Sequence, residues 1–222
     1  MKVIAINGSP RKDKNTAHML ESVLKGAKSV CPCVETTIVH LYDYSFTGCR
    51  SCFVCKLRDE KYYGLKCYAK DEISEVLDNV SRCDGLVMGS PIYFDLFTGV
   101  LHCFIERLCF PYSTYDLDFR TTTPKRMPVV MLYTMNLPED IAVENYSGKW
   151  THIEELMSRV FTPPEILNVY NTYQFDDYSK YHCERFNEGD KKYHRSRHFP
   201  IDLKNAFDAG ARMMQRRLDM DE

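Results

Sequence analysis

Nowhere in this sequence does an apolar run approach the ~20 residues that a membrane-spanning helix requires, so no membrane association is expected. Excess charge is also missing. The 29 Lys and Arg nearly balance the 31 Asp and Glu, giving a net charge of -2 and a pI near 6.4, which argues against the basic field of a nucleic-acid binder. The opening Met1–Ile6 is too short for the apolar heart of a secretion signal, and a cytoplasmic location is expected. Neither G-x-x-x-x-G-K-[ST] nor G-x-G-x-x-G occurs, which argues against a P-loop for ATP or GTP and against NAD binding in the Rossmann manner. Repeats, low-complexity tracts and Pro/Gly/Ser linkers are likewise absent, so residues 1–222 are expected to form one domain.

The opening stretch MKVIAINGSPRKDKNT is an apolar strand running into a turn. Val3–Ile6 form an unbroken run suited to a strand buried on both faces. Gly8 permits a tight turn, and Pro10 fixes its own φ while removing one N–H. Arg11, Lys12 and Lys14 add positive charge. Asn15 or Thr16 would cap a helix carried on by Ala17, Leu20, Val23, Leu24 and Ala27. A phosphate here would meet amides, hydroxyls and cations together; an ordinary strand, turn and helix without ligand is the alternative.

Ten cysteines accompany this. Without an export signal they are expected as reduced thiols or metal ligands. Cys31 and Cys33 flank Pro32 in a connector and receive no role. Beyond a strand over 34–41, residues 42–70 show little periodicity; long irregular loops in compact domains are usually functional or disordered, and the cysteines here decide for function. Cys49, Cys52 and Cys55 form C-x2-C-x2-C, able to aim three thiolates at one iron–sulfur cluster, with Cys67 as a fourth ligand after eleven intervening residues. Zinc and a loop without metal are the alternatives.

A helix over 71–80 then leads to a strand over 85–89, the alternation of a parallel α/β sheet. The loop Ser90, Pro91, Ile92, Tyr93 and Phe94 offers amides and aromatic faces at a strand's carboxyl end, where a flat redox ring would bind. Further elements follow: a helix over 100–108, a polar connector over 111–124, a strand over 127–133, a helix over 150–160, a strand over 166–173 and a helix over 203–218. In the polar segment 174–200, His182, Cys183, His194 and His198 match no standard metal-ligand spacing.

The segment INGSPRKDKNT resembles the G-S-P-R-x-x-x-N-T loop that holds the FMN phosphate in the flavodoxin-like NADPH-dependent FMN reductase family. The stretch DGLVMGSPIYFDLFTG is similar to that family's flavin-ring loop, and the run 49–67 is similar to its iron–sulfur flavoprotein branch. The resemblance implies a three-layer α/β flavodoxin-like fold with five parallel strands in order 2-1-3-4-5 and a cysteine-rich insertion at about 42–70. It implies FMN held by Ser9, Arg11, Asn15 and Thr16, a ring against Ser90 to Phe94, and a third contact at Thr134, which opens the stretch Thr134, Met135 and Asn136 at the next strand's carboxyl end. No side chain need act as acid or base, because the cofactor carries the chemistry. NAD(P)H would donate electrons to a small acceptor such as a flavin or quinone. Alternatively, a 4Fe–4S cluster on Cys49, Cys52, Cys55 and Cys67 would relay electrons between FMN and a ferredoxin-type protein. A non-enzymatic flavin-binding redox sensor is the reading from another class. Glu106 and Arg107 match a family acidic–Arg pair, taken as solvated or subunit-facing, and a homodimer or homotetramer is implied.

Overall fold

In a computed structural model, which describes residues 1–118 and 120–220, the chain forms a twisted sheet with helices on both faces. The strands are β1 (Lys2–Asn7), β2 (Glu35–His40), β3 (Gly85–Tyr93), β4 (Leu96–Phe97), β5 (Val129–Thr134) and β6 (Glu165–Val169). The helices are α1 (Asn15–Val30), α2 (Ser74–Ser81), α3 (Gly99–Cys109), α4 (Glu139–Tyr146), α5 (Thr151–Val160), α6 (Glu188–Arg197) and α7 (Phe199–Asp219). The sheet runs β2-β1-β3-β5-β6 with every neighbouring pair parallel. This is the expected flavodoxin-like order of five strands, to which β4 adds a short antiparallel hairpin on β3, pairing Ile92 with Phe97 and Tyr93 with Leu96.

Alternation along the strands divides the core into two layers. Val3, Ala5, Val87, Val130 and Leu132 face α1 and α7, meeting Leu20, Val23, Ala206 and Met213. Ile4, Ile6, Leu86, Met88 and Met131 face the other way, onto Leu77, Leu101, Phe104 and Met157 of α2, α3 and α5. On the first face α1 and α7 touch backbone to backbone. A Cβ on Gly26 would lie 1.8 Å from the Phe207 carbonyl oxygen, and one on Gly210 would lie 1.9 Å from that of Val23, so each glycine admits the other helix.

Several boundaries differ from expectation. β3 continues through Ser90 to Tyr93, because Ser90 and Pro91 still pair with Tyr133 and Thr134 of β5; the turn falls at Phe94 and Asp95, both with positive φ. One helix was expected over 150–160, yet α4 precedes it, its amphipathic pattern too weak to read. β6 ends at Val169, before the left-handed Asn171. The segment 174–200 contains α6, and α7 starts early, with Pro200 in its first turn, where a missing N–H costs nothing. No helix among the described residues is long and apolar enough to cross a membrane.

Candidate functional site

The turn after β1 is held by its neighbours. Gly8 N–H donates to the Gly89 carbonyl at 2.8 Å, and Thr98 Oγ1 donates to the Gly8 carbonyl at 2.7 Å. A Cβ at Gly8 would come within 3.0 Å of Leu101 Cβ and 3.2 Å of the Gly89 oxygen, so close packing selects glycine. Ser9 N–H donates to Asn7 Oδ1 at 2.9 Å, and Arg11 N–H to Ser9 Oγ at 3.2 Å. The cap of α1 differs from expectation: Lys14 occupies the position, in extended conformation and without a side-chain cap. The first helical amides are therefore open to an anion. Asn15 bonds outward instead, donating Nδ2 to the Tyr173 carbonyl at 2.9 Å and accepting from Arg195 at 2.9 Å. Arg11 donates to the Gln174 carbonyl at 2.7 Å, and Thr16 Oγ1 lies 2.8 Å from Thr134 Oγ1.

One cleft of about 180 Å³ at the carboxyl ends of β1, β3 and β5 brings Ser9, Arg11, Asn15 and Thr16 together with Pro91, Ile92, Tyr93 and Thr134. Two further predicted residues lie elsewhere. Ser90 is fully buried; its hydroxyl donates to the Pro91 carbonyl at 2.8 Å and accepts from Thr98 N–H at 3.0 Å. It ties β3 to the start of α3. Phe94 is fully exposed at the β3–β4 turn and lines a wider neighbouring cavity of about 590 Å³, which shares Ile92, Tyr93, Asn136 and Gln174 with the cleft. Asn136, Thr172 and Gln174 also line the cleft; Thr172 and Gln174 escape sequence reading. Asn136 had at least a positional signal, since it follows a strand's carboxyl end.

The second constellation is the cysteine loop. Cys49, Cys52, Cys55 and Cys67 all line one cavity of about 370 Å³, walled by Phe53, Phe110 and Pro111. Ser51 and Phe53, on either side of Cys52, adopt left-handed φ values of 52° and 55°. Cys55 is buried, which pushes its thiol upward against the lowering influence of Lys56. The expectation for Glu106 and Arg107 is corrected here. Arg107 is only 2% exposed, not solvated: its Nε donates to Cys67 Sγ at 3.3 Å, its Nη atoms to the Thr47 and Ala69 carbonyls at 3.3 and 3.0 Å, and both Nη atoms to the Asp71 carboxylate. Burial alone would raise the Asp71 pKa, but the Arg107 and Ser74 hydrogen bonds outweigh it and hold the carboxyl below its ordinary value. Glu106 Oε2 accepts from Cys49 N–H at 2.9 Å. Adjacent residues of α3 thus anchor both ends of the loop, a contact that sequence spacing does not reveal.

Among the described residues no group of three or more His, Cys, Asp or Glu is placed to hold a single metal ion. His182 is exposed, and His194 and His198 stack on each other at 4.6 Å. The four cysteines nevertheless suit a larger inorganic cluster in their chemistry: soft donors around a largely apolar cavity, with the Arg107 guanidinium donating to the sulfur of one of them. The cleft similarly suits a phosphate ester, with open helical amides, the Ser9 and Thr16 hydroxyls and Arg11 in one place.

Residues 1–125 match the NADPH-dependent FMN reductase family. An iron–sulfur flavoprotein of Archaeoglobus fulgidus is 37% identical over 107 residues, covering 48% of this chain and 48% of that protein. An iron–sulfur flavoprotein of Methanocaldococcus jannaschii is 32% identical over 107 residues, covering 48% and 51%. The chain spans about half the length of these relatives. Among solved structures, an NAD(P)H:quinone oxidoreductase from Methanothermobacter marburgensis superposes with a TM-score of 0.67 at 14% identity, over 95% of this chain and 98% of that one. An azoreductase from Bacillus anthracis gives 0.66 at 13%, over 95% and 99%; these likenesses concern the fold. With a match covering more than half of its length, the chain belongs to the NADPH-dependent FMN reductase family.

Proposed function

We propose that this protein is an FMN-dependent oxidoreductase that takes electrons from NAD(P)H and delivers them to a small acceptor such as a flavin or quinone. The observation that carries the reading is the cleft in which the turn after β1 and the end of β3, some eighty residues apart in sequence, meet. FMN, when bound, supplies hydride and electron transfer. The chain supplies the rest. Ser9, Thr16, Arg11 and the open amides of α1 bind the phosphate. Pro91, Ile92, Tyr93 and Thr134 line the place of the ring, Ser90 fixes the strand that carries them, and Phe94 walls the neighbouring cavity, where donor and acceptor would enter.

A second reading extends the first and is favoured by the single cavity shared by the four cysteines. In it, Cys49, Cys52, Cys55 and Cys67 hold a 4Fe–4S cluster that exchanges electrons between FMN and a ferredoxin-type protein, in a cytoplasmic homodimer or homotetramer. Arg107 and Glu106 then position the loop. Protein purified without oxygen separates the readings by its absorption spectrum and iron content. Flavin bands with about four irons per chain support the cluster; flavin bands without iron leave the reductase alone. Flavin bands with no NAD(P)H oxidation would favour a redox sensor, and a protein that refuses FMN would remove all three.

A further inference from the structure

Lys191 of α6 is only 2% exposed, unusual for a lysine without a carboxylate partner. Its ammonium donates to the backbone oxygen and to Oδ1 of Asn136, and the Phe186 ring centroid lies 4.8 Å from Nζ. No ion pair involves it among the described residues. Asn136 sits just past the end of β5, lining both the cleft and the wider cavity beside it.

The chemistry of the pair fixes an orientation. An ammonium offers only donors, so the Asn136 amide must present its oxygen to Lys191; the flipped amide would set N–H groups against a cation. Nδ2 is thereby committed to being the other end, and no protein group among the described residues accepts from it. A donor is left for a molecule in the cleft. Both residues lie outside the stretch matched to the family, residues 1–125.

We propose that Asn136 is a binding residue for the flavin ring and Lys191 its positioning residue: Lys191 aims the Asn136 amide N–H at a ring carbonyl oxygen, and its buried charge favours the reduced, more electron-rich flavin. This rests on the FMN reading above. A positive charge in a low-dielectric setting stabilises the form that carries more negative charge, so the pair raises the flavin's reduction potential as well as its affinity. Burial draws the Lys191 pKa down to about 8, and the side chain remains largely cationic near neutral pH.

The test compares wild type with Lys191→Met, which keeps length and apolar stem but removes charge and donors, and with Asn136→Ala, which leaves the lysine in place. Oxidised FMN is titrated by fluorescence quenching, and the potential of the bound flavin is read against a reference dye without oxygen. In Lys191→Met the preference for reduced over oxidised FMN is expected to fall about tenfold, equal to about 30 mV for a two-electron couple. Asn136→Ala is expected to bind oxidised FMN several-fold more weakly, and it serves alone if Lys191→Met does not fold. Equal weakening of both redox forms by Lys191→Met, or unchanged affinity in Asn136→Ala, would overturn the inference while the FMN reading stood. Failure of wild type to bind FMN would instead overturn that reading.

Discussion

Arg107 shows how much one side chain can hold. Its side chain is 1% exposed, and it closes on Asp71 while touching the sulfur of Cys67. Removing one member of a buried pair leaves the other uncompensated, at a typical cost of ~3–5 kcal/mol, so Arg107→Leu is expected to lower the melting temperature clearly and to loosen the cysteine loop, seen as faster alkylation of Cys67. The pH dependence has a definite sign. The folded-state pKa of Asp71 lies below its unfolded value, so the pair's contribution is fully present above the ordinary carboxylate pKa, ~3.9, and is lost as pH falls through the lower folded value. Thermal melts from pH 7 to pH 3 should show a steeper loss in wild type than in Arg107→Leu; equal slopes would contradict the assignment. Ser90 is the complementary case, since a serine after a strand reads as a ligand contact, whereas here its hydroxyl secures Thr98. Both roles depend on partners from other elements, and a local motif carries no record of them. Ser9, Arg11 and Thr16 come together through one short turn and the first turn of α1, a local grouping that sequence order alone can show.

At the level of elements, strands and most helices were visible because each has a buried face with a clear period. Val3–Ile6 and Met127–Tyr133 announce themselves as strands covered on both sides, and Leu101, Phe104, Ile105 and Leu108 mark α3. What stayed hidden has weak periodicity or tertiary causes: α4 buries only Ala142, α6 only Lys191. The crossing of α1 and α7 belongs with these, because Gly26 and Gly210 look like poor helix residues until each is seen to admit the other's backbone. Gly210→Ala should therefore destabilise the fold, although alanine is the better helix former. Overpacking typically costs ~1–3 kcal/mol, and a denaturant midpoint equal to or above that of wild type would contradict the close crossing. The strap from Tyr173 to Arg195, which bonds Asn15 and Arg11, similarly connects the cleft to a segment whose sequence reads only as polar surface.

Across the whole molecule, sheet order was legible because alternating strands and helices with right-handed crossovers leave few arrangements, and the family motifs selected one. The cleft follows from that order, since the chain leaves β1 for α1 on one face of the sheet and leaves β3 for α3 on the other. The cysteine loop was legible as a motif but not in its support, which α3 provides through Glu106 and Arg107. Because loop and cleft share no lining residue, under the proposed cluster reading Cys52→Ala is expected to abolish iron binding and leave flavin content unchanged, as checked by paired iron and flavin analysis; loss of both would show that the two sites depend on each other. The central claim concerns the cleft, and titration of the flavin-free protein with FMN tests it most directly. One FMN per chain is expected, with Ser9→Ala and Thr16→Ala each weakening binding by ~1.5–3 kcal/mol, the worth of a hydrogen bond to a charged group. Saturable binding that the double variant leaves unchanged, or no binding at all, would contradict the account.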